Sequence, residues 1–244
     1  MRAAAGAAAF LTILPLGRLH LDERDVGRGA FFFPLVGALL GACMALIGVA
    51  LDDPLTAFLA AAVAVTFEAV ATGGIHLDAL ADAGDALGAR SRERALEVMR
   101  EGTIGAFGAT ALALDLLLKT SALTVLVGEG GTILVVAAAY GVGRAAPLVL
   151  GWALPYARAD GGSGRALTGF SPRLLLAAGV VVACVLAVGL VRLDALALLG
   201  GAAAATALVV VVAARRFGGV TGDVLGAGIE LATTGCLLAA VAVA

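Results

Sequence analysis

Charge is what this sequence lacks. Only 14% of its 244 residues are Asp, Glu, Lys or Arg, against roughly 25% in ordinary soluble domains. That shortage excludes a soluble globular domain and a disordered chain, both of which need charge to stay solvated. It also excludes a nucleic-acid binder: 16 basic residues against 18 acidic ones leave a net charge of −2 and no basic excess for a phosphate backbone. Aromatic residues are scarce at 5%, and there are three cysteines. Cys43, Cys184 and Cys236 each sit inside an apolar run without a paired spacing, which excludes a disulfide framework and a thiolate zinc site.

What is plentiful is apolar bulk. Hydrophobic residues make up 61% and mean hydropathy is +1.07. The 34 glycines are about twice the usual share of roughly 7%, as expected where helices approach closely in lipid. Seven apolar runs stand out, at about 31–51, 55–74, 104–127, 132–154, 174–191, 195–213 and 224–244. Each approaches the roughly 20 residues that cross a bilayer. The expected fold is therefore all-α: a polytopic membrane bundle of about seven transmembrane helices plus short interfacial helices, in one domain over residues 1–244. Arg2 ahead of an apolar stretch has the outline of a signal peptide, but Ile13 to Arg18 holds no small-residue cleavage site. Residues 3–16 read instead as an interfacial or half-inserted helix.

The scarce charges are sorted. Of 16 basic residues, thirteen fall in the N-terminal stretch and in the loops after the second, fourth and sixth runs, whereas the alternate loops hold only Arg192. Lys119 and Arg144 remain inside runs. The positive-inside rule places the arginine-rich face, with the N-terminus, in the cytoplasm.

Carboxylates gather on that same face. Asp78, Asp82 and Asp85 lie at i, i+4 and i+7 after Thr72-Gly-Gly-Ile-His-Leu-Asp78. At about 100° per residue they fall within about 60° of one another, one stripe of a helix. A solvated acidic helix face is the plain reading. Like charges on a stripe repel, however, and the neighbours Leu77, Leu80, Ala81 and Leu87 are apolar. A divalent cation would relieve that repulsion, and carboxylate and phosphate oxygens suit magnesium. His76, two residues back, falls about 160° away from the stripe unless the Gly73-Gly74 turn brings it inward; it reads equally as a packing residue, a ligand or a base. The loop then forms a short charged helix from Ser91 to Glu101, whose arginines either pair with Glu97 and Glu101 or meet phosphate. Inside the runs, Asp115 and Lys119 have i, i+4 spacing and read as a self-neutralising pair or part of a polar cavity, with Glu68, Arg144 and Glu230 as further buried ionisable groups. Before the last run, Arg215-Arg-Phe-Gly-Gly-Val-Thr-Gly-Asp223 offers Gly218, Gly219 and Thr221 as an anion seat at a helix start, with Asp223 as the alternative N-cap.

The ordered set of Thr72 to Asp78 with Asp82 and Asp85, Met99-Arg-Glu-Gly-Thr-Ile-Gly-Ala-Phe-Gly108, and Gly218-Gly-Val-Thr-Gly-Asp-Val-Leu-Gly-Ala227 resembles the cobalamin synthase (adenosylcobinamide-GDP ribazoletransferase) family. Phe10-Leu-Thr-Ile-Leu-Pro-Leu16, Phe33-Pro-Leu-Val-Gly37 and Leu154-Pro-Tyr-Ala-Arg158 extend the likeness over essentially the whole chain. Ala79 and Ala86 stand where the family carries glycine, and Glu101 where it carries aspartate; every carboxylate is kept. The resemblance implies transfer of alpha-ribazole, or its 5′-phosphate, onto adenosylcobinamide-GDP with release of GMP, using magnesium in a cell membrane. It implies metal ligation by Asp78, Asp82, Asp85 and Asp223, with Asp82, Asp85 and His76 as catalytic groups. Arg94, Arg100, Arg215, Arg216, Gly218, Gly219 and Thr221 then contact substrate. Membrane lipid is the surrounding solvent, no nucleic acid is expected, and a homo-oligomer is left open. Two other readings compete. A CDP-alcohol phosphotransferase is disfavoured because its D-x-x-D-G-x-x-A-R pattern is missing; a secondary transporter is disfavoured because the acids lie at an edge rather than at the midplane.

Overall fold

The computed structural model describes residues 1–15, 19–128, 132–162 and 164–244. Leu16 to Arg18 and part of the loop expected at 128–131 lie outside the described residues. Helix α1 (Arg2–Leu11) is 10 residues long, about 15 Å, so it cannot cross a bilayer. It packs on α2 (Glu23–Gly29), and Arg2 pairs with Asp25 at 2.7 Å. A capping box between Asp22 and Asp25 starts α2, which continues through the tight turn Ala30–Phe32 into α3 (Phe33–Asp52). Pro34 sits in the first turn of α3, where its missing N–H has no partner to lose.

Helix α4 (Ala57–Thr72) stops at Gly73 and Gly74, whose φ angles of 64° and 67° suit glycine. The chain there turns by 90° into α5 (Ile75–Leu87). Then follow α6 (Arg92–Val98), α7 (Ala106–Val127), α8 (Thr132–Gly143), α9 (Ala146–Ala153), α10 (Arg173–Val191), α11 (Ala195–Val212) and α12 (Gly222–Val241).

Among the described residues, five continuous helical segments are long and apolar enough to cross a membrane, and the bent α4–α5 pair makes a sixth. One of the five, Arg173–Phe217, has 45 residues. As one rod it would reach about 67 Å, more than twice the hydrocarbon thickness. It is folded at Arg192, with φ of 53°, so that Cys184 of α10 and Ala202 of α11 line one cavity. Counting that hairpin as two passes restores the seven runs of the sequence. The 132–154 run differs from expectation in being broken at Arg144 into α8 and α9.

The bundle is inverted relative to a soluble protein. Leu39, Leu117, Val185 and Leu196 are more than half exposed, whereas Arg144 and Lys119 are fully buried. Outward leucine meets lipid at no cost, so helices associate through small residues. Gly201 and Gly235 bring α11 and α12 so close that a Cβ on either would strike the other's carbonyl oxygen.

Inside, one polar network ties four helical segments. Lys119 lies 3.3 Å from Asp115, the spacing pair expected from sequence, but also 3.4 Å from Glu68 and in close contact with Glu230. Arg144 donates to Glu68 at 3.2 Å and to Thr233 at 3.3 Å, and lies 4.7 Å above the Tyr140 ring. The Tyr140 hydroxyl donates to Glu68 at 2.7 Å, and Thr234 donates to Asp115 at 2.6 Å. The pair is thus one edge of a larger cluster. Replacing Lys119 by methionine leaves three buried carboxylates facing one arginine. The expected loss is about 3–5 kcal/mol, read as a lower melting temperature and a poor yield of monodisperse protein in detergent; wild-type melting in that variant would refute the role given to Lys119.

Candidate active site

The polar end of the bundle is assembled from loops that hold one another. Thr221 caps α12, accepting from the Val224 N–H at 3.2 Å, and its hydroxyl donates to Asp223 at 3.1 Å. Asp223 is therefore not the cap; it stands in the first turn and receives Arg158, which donates to it at 2.9 Å. The loop before α12 is clamped to residues 155–157: Val220 N–H donates to Pro155 at 2.9 Å and Ala157 N–H donates to Val220 at 2.8 Å. Gly218 has φ of 71° and presses on the Arg92 guanidinium, leaving no room for a side chain. The glycines expected to seat an anion thus serve close packing of this loop.

Helix α5 lies against α12 and α7, and its acidic stripe faces the start of α12. Asp78, His76 and Asp223 line one cavity of about 260 Å³, walled on another side by Phe10 of α1. Asp82 lies in the repulsive field of Asp78, Asp223 and Asp85, which Arg158 opposes. Four carboxylates therefore share one field with little counter-charge. His76 is buried, its Nδ1 lies 3.9 Å from Glu230, and neither ring nitrogen has a hydrogen-bond partner. It points off the stripe, as the helical spacing indicates, yet still reaches the cavity wall.

Four expected site residues have partners elsewhere. Both Asp85 oxygens accept backbone N–H groups at the start of α7, Gly105 at 2.6 Å and Gly108 at 2.8 Å. Beside its expected reading as a metal ligand or base, Asp85 is thus an anchor of α7, drawn to the positive end of that helix. A Cβ on Gly105 or Gly108 would collide with that carboxylate, which is why the segment carries glycine. Arg216 donates to the Leu87 and Ala89 carbonyls at 2.8 and 2.7 Å, satisfying the last turn of α5 rather than a substrate. Arg94 pairs with Glu97 and Glu101, and Arg100 with Asp160 at 2.6 Å, all on exposed ground. Arg215 is exposed and makes no ion pair among the described residues. Sequence reasoning counted Arg158 only for topology; its position next to Pro155-Tyr156, within a motif already singled out, was the available signal. Among the described residues no three His, Cys, Asp or Glu side chains converge as a ready-made metal cage.

A family model described as cobalamin-5-phosphate synthase matches residues 3–241. The adenosylcobinamide-GDP ribazoletransferase of Frankia casuarinae is 38% identical over 95% of this chain and 91% of its own length. The proteins of that name from Escherichia coli K12 and Citrobacter koseri are 38% and 37% identical, each over 95% of this chain and 96% of its own. No solved structure matches.

The geometry carries one expectation. Asp85→Ala removes the anchor of α7 and should cost about 1–2 kcal/mol, with Gly108→Ala causing a similar loss by collision; equal melting of either variant with wild type would refute the anchoring role.

Proposed function

The chain belongs to the cobalamin-5-phosphate synthase family, and we propose that its chemistry takes place in the acidic cavity between α5 and the start of α12. It is a membrane-embedded transferase of cobalamin synthesis that joins ribazole to adenosylcobinamide-GDP. The ribazole 5′-hydroxyl attacks the phosphorus nearer cobinamide, the bond from that phosphorus to the bridging oxygen breaks, and GMP leaves. Such a transfer needs a held nucleophile, an acceptor for its proton, and charge to offset the diphosphate. The observation that carries the assignment is the crowding of Asp78, Asp82 and Asp223 with only Arg158 as counter-charge.

That crowding suits a divalent cation. Magnesium is commonly bound by one or two carboxylates plus substrate phosphates, so the absence of a three-residue cage among the described residues is compatible with it. Asp78, Asp82 and Asp223 would hold the ion, and when bound it supplies positive charge to the diphosphate oxygens. Arg158, which already spans from the 155–158 segment to Asp223, meets the phosphate from the other side. Thr221 fixes the Asp223 carboxylate through its hydrogen bond. His76, on the cavity wall with both ring nitrogens unpartnered, takes the proton of the ribazole hydroxyl. Phe10 and Ala9 cover this side of the cavity and limit water. The arginine-rich polar end faces the cytoplasm and the protein resides in the cell membrane, consistent with the sorting of basic residues.

Purified protein in detergent with magnesium should release GMP from adenosylcobinamide-GDP only when alpha-ribazole is present. Asp82→Ala should insert and purify normally but release GMP at background, and His76→Ala should lose about 10²–10⁴-fold. Chelation should stop turnover and magnesium restore it. Full activity of the Asp82 variant, or turnover in chelator, would sink the respective assignment.

A further inference from the structure

A second cavity opens at the same polar end, between the close of α9 and the start of α10. It holds about 540 Å³, within the range of small-molecule sites. Arg165 and Arg173 line it, and neither has an acidic partner among the described residues. Arg165 lies 5.8 Å over the Phe170 ring, and its guanidinium and that of Arg173 share one wall of the cavity. Tyr156 and Thr168 also line it, and the hydroxyl of each is buried without a hydrogen-bond partner. Trp152, half exposed, supplies a flat apolar face. Two cations and two idle hydroxyl donors call for an acceptor-rich anion, and a planar ring beside them suits a flat partner.

The cavity is joined to the acidic site by very little chain. Tyr156 lies in its wall, while Arg158, two residues on and about 7 Å along an extended segment, holds Asp223. Tyr156 is also bridged to Val220, immediately before Thr221. One short stretch of chain therefore flanks both sites.

We propose that this cavity is a binding subsite for a phosphate ester attached to a flat ring, with Arg165 and Arg173 gripping the phosphate and Trp152 packing on the ring. Within the function proposed above, on which this assignment of the ligand rests, that is the phosphorylated form of the ribazole acceptor. The same phosphate chemistry is also presented by an anionic lipid headgroup at the membrane surface.

Trp152 is the single tryptophan of the chain, so its fluorescence reports on the cavity without any turnover. Wild-type protein in detergent should show a saturable change in Trp152 emission with alpha-ribazole 5′-phosphate. Its apparent Kd should rise about tenfold in Arg165→Gln and in Arg173→Gln, while unphosphorylated alpha-ribazole binds both variants and wild type alike. Titration with phosphatidylglycerol micelles, set against phosphatidylcholine, separates the sources: an arginine-dependent response to phosphatidylglycerol alone assigns the subsite to a lipid headgroup. If neither phosphate-bearing probe distinguishes wild type from both variants, the subsite does not exist. Failure of GMP release with arginine-dependent binding intact would instead refute the reaction and leave the subsite standing.

Discussion

The buried contacts of Lys119 and Arg144 are what the rest of this bundle depends on. In lipid, apolar surface gives helices no reason to prefer one neighbour over another, because hydrocarbon solvates leucine as well as a protein core does. A charge left unpaired there is costly, and satisfying it dictates which helices meet. Lys119 on α7 reaches Glu68 on α4 and Glu230 on α12, and Arg144 at the α8–α9 break reaches Glu68 and Thr233. Those are the helices that carry the acidic end: α4 turns into α5 with its aspartates, and α12 begins with Asp223. Register in the network therefore sets register in the site.

The two ends of this arrangement use charge in opposite ways. Midway through the bundle, every carboxylate has a cation or a hydroxyl within reach. At the polar end, Asp78, Asp82 and Asp223 face one another with one arginine among them. The neighbouring loops supply rigidity: Asp85 holds α7, Arg216 holds the end of α5, and the 155–157 segment holds the approach to α12.

Much of this was legible one residue at a time. The seven runs, the arginine-sorted face, the acidic stripe and the Asp115–Lys119 pair all follow from hydropathy and helical spacing. Asp85 shows where that logic ends. Spacing puts it on the stripe with Asp78 and Asp82, but its partner is the N–H pair of Gly105 and Gly108, twenty or more residues later. Arg216 is the same kind of case, because the carbonyls it satisfies belong to residues 87 and 89. Arg158 was hidden for the converse reason: a loop arginine has no periodicity to mark it, and only folding carries it to Asp223.

By itself the sequence determined the solvent of this protein, roughly how many times it crosses and where its few charges gather. Those depend on sums over local segments: apolar length against bilayer thickness, and the positions of a few charges along the chain. Only the tertiary structure decided which of several similar aspartates and arginines face the acidic cavity and which face the backbone. Hydrogen bonds saturate and are directional, so a carboxylate bonded to two helix N–H groups is held in place as an anchor, and no local pattern records which partner a side chain finds.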